Sequence, residues 1–229
     1  MNILILGSGP NVVEAADWAR APFDVVVAIN NAWRVRADWD YLIHPSDFGV
    51  DRMPLMLERG QKVITHEDYV PAQNALGGFV YAGGTMAFTA GYWALHALRP
   101  SMMAFMGCDM MYDAPQTHFY GTGTADPLRE DVTLRSLEAK SARLAAFAHR
   151  QQCRAVNLSR APSRLVFPRA TPDGLGARSM IDEAAIDHAL RLEADAGYMV
   201  PSGKYWKEEA RFDTGVIDAI DAAWLKTQR

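Results

Sequence analysis

The chain has 229 residues, of which 49% are apolar and 22% charged, with 23 Lys and Arg against 27 Asp and Glu for a formal net charge of −4. That composition excludes a disordered or low-complexity fibre, and the acidic balance argues against a nucleic-acid partner. Two cysteines, Cys108 and Cys153, are too few for a disulfide framework or a zinc cluster and read as reduced thiols.

Asn2–Leu6 is a short apolar run stopped by Gly7-Ser8-Gly9-Pro10, which marks a buried parallel strand. Residues 12–20 read as a helix with Val13, Ala16 and Ala19 or Arg20 along one side. Residues 24–29 and 41–44 are a second and third strand, 52–59 a helix closed by Gly60, and 62–66 a fourth strand. Residues 71–84 hold four glycines and no periodicity, so they read as a loop. Met86, Ala90, Trp93 and Ala97 line one side of a helix over 85–98, which Pro100 shuts off. Residues 102–107 are a fifth strand and 108–127 a long polar-aromatic loop. Leu134, Leu137, Ser141, Leu144 and Ala148 keep helical spacing, which predicts a long amphipathic helix over 131–152, and 155–158 is a sixth strand. Two further helices, over 181–195 and 213–226, bracket an aromatic stretch at 198–206, where Tyr205 and Trp206 could be exposed for a partner subunit or packed in the core.

Strands alternating with helices predict an α/β fold: three-layer and Rossmann-like, with a mainly parallel sheet flanked by helices over residues 1–168. Residues 169–229 form a C-terminal helical appendage, expected to act as a lid, a dimer arm or a packed cap. No stretch of 18 apolar residues appears, and the opening residues lack the basic start and long apolar run of a signal peptide. The expectation is a cytoplasmic protein of bacterial type without a transmembrane segment, open to homo-oligomer formation.

In parallel sheets, ligands bind at the carboxyl ends of the strands near the switch point. The polar motifs fall there. Gly7, Ser8, Gly9, Pro10 and Asn11 follow the first strand, where glycines let a backbone approach a ligand and a helix start attracts phosphate. A dinucleotide fingerprint would need a third glycine where Val12 stands and an acidic residue where Asn30 and Asn31 stand, and no Gly-Lys-Ser/Thr P-loop is present. Asn30 and Asn31 suit a ribose or base edge, because amides donate and accept, although Asn is also a common turn residue. Gly84 and Thr85 offer a second cradle, with Thr85 equally suited to a helix N-cap.

After the fifth strand come Asp109, Tyr112, His118 and Tyr120. Phenols and an imidazole suit a phosphate grip or proton transfer, while Asp109 could instead cap its loop. No strong metal site is expected; Asp47, Asp109, Asp113 and Asp126 could still approach a magnesium–phosphate complex. His44, Asp47 and His66, and Ser159, Ser163 and Arg164, lie after strands and are weaker candidates; His96, His149 and His188 lie on helices and read as structural.

The strand with Gly7 to Pro10, the Asn after strand two, Gly84-Thr85 at a helix start, Gly107-x-Asp109-x-x-Tyr112, and Asn157-Leu158-Ser159 with Ser163 and Leu165 together resemble the family-42 sialyltransferases. They also resemble relatives of the domain-of-unknown-function 115 type, which include a hydroxymethylpterin pyrophosphokinase. The resemblance spans about residues 1–168, and Ser8 stands where the sialyltransferases commonly carry Asn. It implies that Gly7, Ser8, Gly9, Pro10 and Asn30 bind a cytidine nucleotide and that Gly84 and Thr85 approach it. It implies that Tyr112 and Tyr120 assist the departing phosphate without a metal, and it makes His118 the nearest candidate for the family's histidine base. The expected function is a nucleotide-dependent transferase using a CMP-type nucleotide sugar, with a small-molecule substrate and a possible glycan acceptor. The alternatives are an ATP- and magnesium-dependent phosphotransferase and a non-catalytic nucleotide- or sugar-binding module.

Overall fold

The structure, a computed structural model, describes residues 1–112, 116–121 and 129–228. Its centre is a sheet of β1 (Asn2–Leu6), β2 (Val25–Ile29), β3 (Tyr41–Ile43), β4 (Lys62–Ile64), β5 (Met102–Met106) and β6 (Arg154–Asn157). The strand order is β4-β3-β2-β1-β5-β6 and every pairing is parallel. The fold is therefore α/β and Rossmann-like. The chain winds outward from β1 to β4 and then crosses to β5, so the switch point lies between β1 and β5.

The strands are apolar on both faces because both faces are covered. Ile3, Ile5, Met103 and Phe105 face α1 (His66–Asn74), α3 (Met86–Ala97) and α4 (Leu137–Arg150). Leu4, Leu6, Ala104 and Met106 face the other side, where Val12, Ala15, Phe23, Ala32 and Trp39 cover them. That second layer is built from short 3-10 turns and loops rather than α-helices. The helix expected over 12–20 is a 3-10 helix, Pro10–Asp17, with Val12 and Ala15 buried and Val13 exposed. Apolar residues three apart match three residues per turn, and adjacent β-branched Val12 and Val13 disfavour the α form.

Other expected boundaries shift. No α-helix forms over 52–59; a single 3-10 turn, Val50–Arg52, stands there, and Leu55, Met56 and Leu57 are exposed, leaving no apolar face to bury. The expected loop 71–84 contains the end of α1 and the short α2 (Phe79–Ala82) between left-handed Gly78 and Gly83. Thr65 caps α1 in a reciprocal box with Asp68, which offsets the bond lost at Pro71 inside the helix. The expected helix over 131–152 divides at two caps: Asp131 heads the 3-10 turn Val132–Leu134 and Ser136 heads α4.

The C-terminal chain packs onto the outer side of α4. There α5 (Glu183–Ala196) and α6 (Thr214–Leu225) bury Ile186, Ala189, Ile217, Ile220 and Trp224 with Val80, Tyr81, Ala139 and Ala146. Two buried ion pairs cross this contact. Lys140 Nζ lies 2.7 Å from Asp221 Oδ1, and Arg143 Nε lies 2.6 Å from Glu193 Oε1. Among the described residues no helix is long and apolar enough to cross a membrane.

Candidate functional site

A cavity of about 790 Å³ opens at the carboxyl ends of β1, β2, β3 and β5. Its floor is the loop after β1. The Gly7 amide donates to Met106 O and the Gly9 amide to Gly107 O, each at 2.8 Å. A Cβ at Gly7 would lie 2.2 Å from Gly107 O, and one at Gly9 2.8 Å from it. The two glycines are thus required by the approach of the β1 and β5 loops to each other, and this contact explains the Gly-x-Gly spacing by itself.

All but one of the site residues expected from the sequence line this cavity: Gly7, Ser8, Gly9, Pro10, Asn11, Asn30, Gly84, Thr85, Asp109, Tyr112, His118 and Tyr120. The exception is Asn31, which is 2% exposed and packs beneath the wall. Asn30 takes φ 52°, in the left-handed region, and Met110 takes φ 54°. Both line the cavity, whereas the other left-handed non-glycine residues among those described, Arg99 and Gln152, simply end α3 and α4. Strained backbone of this kind concentrates at ligand sites.

Asp109 anchors a buried polar network. It is 8% exposed and accepts from Asn11 Nδ2 at 2.8 Å and from Asn157 Nδ2 at 3.4 Å. Asn11 Nδ2 also donates to Ser159 Oγ at 2.7 Å, and Asn157 Nδ2 to Ser163 Oγ at 3.0 Å. The carboxylate therefore orients two amides as well as facing the cavity. The side-chain oxygens of Asn11, Asn30 and Asn31 are buried without a hydrogen-bond partner among the described residues. Buried acceptors of this kind cost stability until a donor reaches them.

The segment 116–121 forms the opposite wall. His118 and Gly121 exchange backbone hydrogen bonds of 2.9 and 3.0 Å, and the Phe119 amide donates to Ser8 O at 3.0 Å. The rings of His118 and Tyr120 stack at 5.1 Å, and Thr117 Oγ1 lies 2.9 Å from His118 Nδ1. Burial pushes the Tyr112 phenol up to about 12, with Cys108 adding to the shift and Arg164 opposing it. Tyr112 thus keeps its hydroxyl proton at neutral pH and can donate a hydrogen bond. Thr85 caps α3, accepting from the Phe88 amide at 3.4 Å, while its hydroxyl lies 3.6 Å from Met110 Sδ.

The weaker candidates separate. Asp47 lines the cavity with Phe48 and Arg52, but His44 does not; its Nδ1 sits 2.8 Å from Pro45 O. Ser159 and Ser163 serve the Asp109 network, and Arg164 pairs with Glu138 at 2.8 Å. His66 opens α1, outside the cavity. Asp113 and Asp126 lie outside the described residues. Among the described residues no group of three or more His, Cys, Asp or Glu is placed to hold a metal. Both cysteines are free and buried, and burial raises both thiols.

Sequence reasoning missed Arg129, Asp131 and Thr133, and quoted Asn157 only as part of a motif, without its contact to Asp109. The polar run Arg129-Glu130-Asp131 just after the long loop was the available signal for the first two. Tyr205, read beside Trp206 as an exposed aromatic or a core residue, is 5% exposed and lies behind the cavity wall, whereas Trp206 is 56% exposed. The chain matches no family model, no curated protein and no solved structure.

Proposed function

We propose that the protein is a nucleotide-dependent transferase that takes a CMP-type nucleotide sugar in the cavity at the β1/β5 switch point. The observation that carries this reading is the convergence of four sequence-distant motifs on one cavity: the loop after β1, Asn30, Gly84-Thr85, and Asp109 with Tyr112, His118 and Tyr120. The unpartnered amide oxygens of Asn11 and Asn30, both on the cavity, match the hydroxyl and amino donors of a nucleoside. Tyr112 and Tyr120 donate to the charge that develops on the leaving phosphate, and His118 accepts the acceptor's proton. The transferred group, the glycan acceptor and any self-association are part of this proposal.

The test is a thermal-shift panel with CMP, CDP, UDP, NAD, and ATP with magnesium. A ligand at a hundredfold its Kd adds about 2.7 kcal/mol of stability. A shift with CMP that survives a chelator is the expected result. A shift only with ATP and magnesium would replace this reading with phosphotransfer, and no shift at all would remove the nucleotide. With a donor in hand, Tyr120→Phe should lower turnover about a hundredfold, as loss of a charge-stabilising donor does.

A further inference from the structure

The segment between α5 and α6 reaches the cavity wall from behind through Tyr205. Its hydroxyl donates to Asp131 Oδ2 at 2.9 Å, accepts from Arg129 Nη2 at 3.3 Å and stands 3.5 Å from Thr133 Oγ1. Asp131 also accepts from the Thr133 amide at 2.8 Å and hydroxyl at 2.6 Å. It further holds Arg129 through Nε at 3.0 Å and Nη2 at 2.7 Å. Thr133 Oγ1 accepts from the Gly84 amide at 3.0 Å. A Cβ on Gly84 would lie 2.5 Å from Thr133 Oγ1 and 2.6 Å from the Tyr205 hydroxyl, so the hub closes only over glycine.

This hub fixes two pieces of the cavity wall at once, the Gly84 backbone and the Arg129 guanidinium. Arg129 has two of its three guanidinium nitrogens held by Asp131 and Tyr205. Its Nη1 makes no hydrogen bond to a described residue, and the side chain is 46% exposed at the cavity. The other arginine lining the cavity among the described residues, Arg52, lies over the Phe48 ring at 4.8 Å. A guanidinium pre-oriented on its inner edge and open on its outer edge is a receptor for an oxyanion, since little rotamer freedom remains to be lost on binding.

We infer that Arg129 forms an anion subsite of the cavity, for a phosphate or carboxylate oxygen, and that Tyr205 is the positioning residue that holds it. The C-terminal segment is then part of the ligand site rather than a cover remote from it. The inference rests on the proposed use of this cavity as the ligand site, but not on the ligand being a nucleotide.

The experiment titrates the full chain and its Arg129→Gln, Arg129→Lys and Tyr205→Phe variants with inorganic phosphate and, separately, with glucuronate as a simple sugar acid. The expected result is binding of at least one anion by the wild type, which identifies the source of the oxyanion. Arg129→Gln should weaken that binding about tenfold or more, the effect of losing a hydrogen bond to a charged group. Arg129→Lys should retain part of it, because the charge stays and the fork is lost. Tyr205→Phe should weaken it about two- to tenfold. It should also broaden the Arg129 Nε–H resonance, which a merely structural tyrosine would leave sharp. Binding of neither anion, or equal binding by Arg129→Gln, overturns the subsite. If Tyr205→Phe fails to fold, the Arg129 variants still decide the subsite, and Tyr205→His, which keeps a donor, decides the positioning role by the same resonance. An Arg129-dependent anion with no nucleotide shift would keep the subsite and sink the nucleotide reading. A CMP shift with neither anion bound would do the reverse.

Discussion

The Phe119 amide donates to the Ser8 carbonyl oxygen at 3.0 Å, joining the wall segment 116–121 to the glycine loop after β1. This bond, with the packing of the Phe119 ring, holds the segment that carries His118 and Tyr120 against the cavity floor. Phe119 occupies the second position of the turn closed by His118 and Gly121, where proline is well tolerated. Phe119→Pro should therefore remove the donor to Ser8 and leave the turn. Phe119→Ala controls for the lost ring, which packs partly buried against the sheet. Ligand affinity should fall about tenfold more in the proline variant than in the alanine variant, and equal affinities would show that the bond does not position the wall.

Asp109 is expected to act by orientation. Asp109→Asn keeps one acceptor oxygen and replaces the other by an NH2, so at one of the two contacts with Asn11 and Asn157 a donor meets a donor. The cost should be about 1–3 kcal/mol of stability, the range for a disrupted buried hydrogen bond. Urea unfolding measures it, and ligand titration at a temperature where both proteins are folded measures the separate loss of affinity. A variant as stable as the wild type would show that the network does not depend on the charge.

Much of the sheet was legible because β2, β5 and all of β1 after Asn2 are apolar and each is followed by glycine or asparagine. The convergence at the carboxyl ends of the strands was legible because each polar motif stands directly after an apolar run. The rest failed for local reasons. Pro71 and a weak apolar stripe hid α1, although Thr65 and Asp68 already carried the cap signal. The left-handed turn at Asn30 puts one asparagine on the wall and its neighbour beneath it, which adjacent identical letters cannot distinguish. The Arg129–Tyr205 contact spans 76 positions and depends on how α5 and α6 dock on α4. No local periodicity encodes it.

That docking is itself testable. Lys140 and Asp221 are buried and paired at 2.7 Å, and Asp221 Oδ2 has no partner among the described residues. Desolvation of both charges consumes most of their attraction, so the pair contributes little against an apolar replacement. Asp221→Leu alone should destabilise by about 3–5 kcal/mol, because it strands the Lys140 charge. The double variant Lys140→Met with Asp221→Leu should return to wild-type stability or exceed it. Chemical unfolding of the three proteins decides the matter; a double variant no better than the single would mean that the pair is a true source of stability.

Asp131 supplies a pH signature for the hub beneath the proposed subsite. Burial tends to raise its carboxyl pKa, but hydrogen bonds from Thr133 and Tyr205 and the charge of Arg129 outweigh that and hold it below the usual 3.8. A depressed folded pKa means that the charged carboxylate favours the native state. Its contribution is complete above about pH 4 and is lost as pH falls through the folded value. Asp131→Asn keeps an oxygen to cap Thr133 but loses the charged acceptor for Arg129 and Tyr205, so it should be less stable than the wild type at pH 6 by about 1–3 kcal/mol. The gap should narrow as pH drops below about 4, where the wild-type carboxyl takes up its proton. Unfolding midpoints of both proteins at pH 6 and pH 3 measure the gap. A gap of the same size at both values would show that Asp131 holds Thr133, Arg129 and Tyr205 through its shape and not its charge.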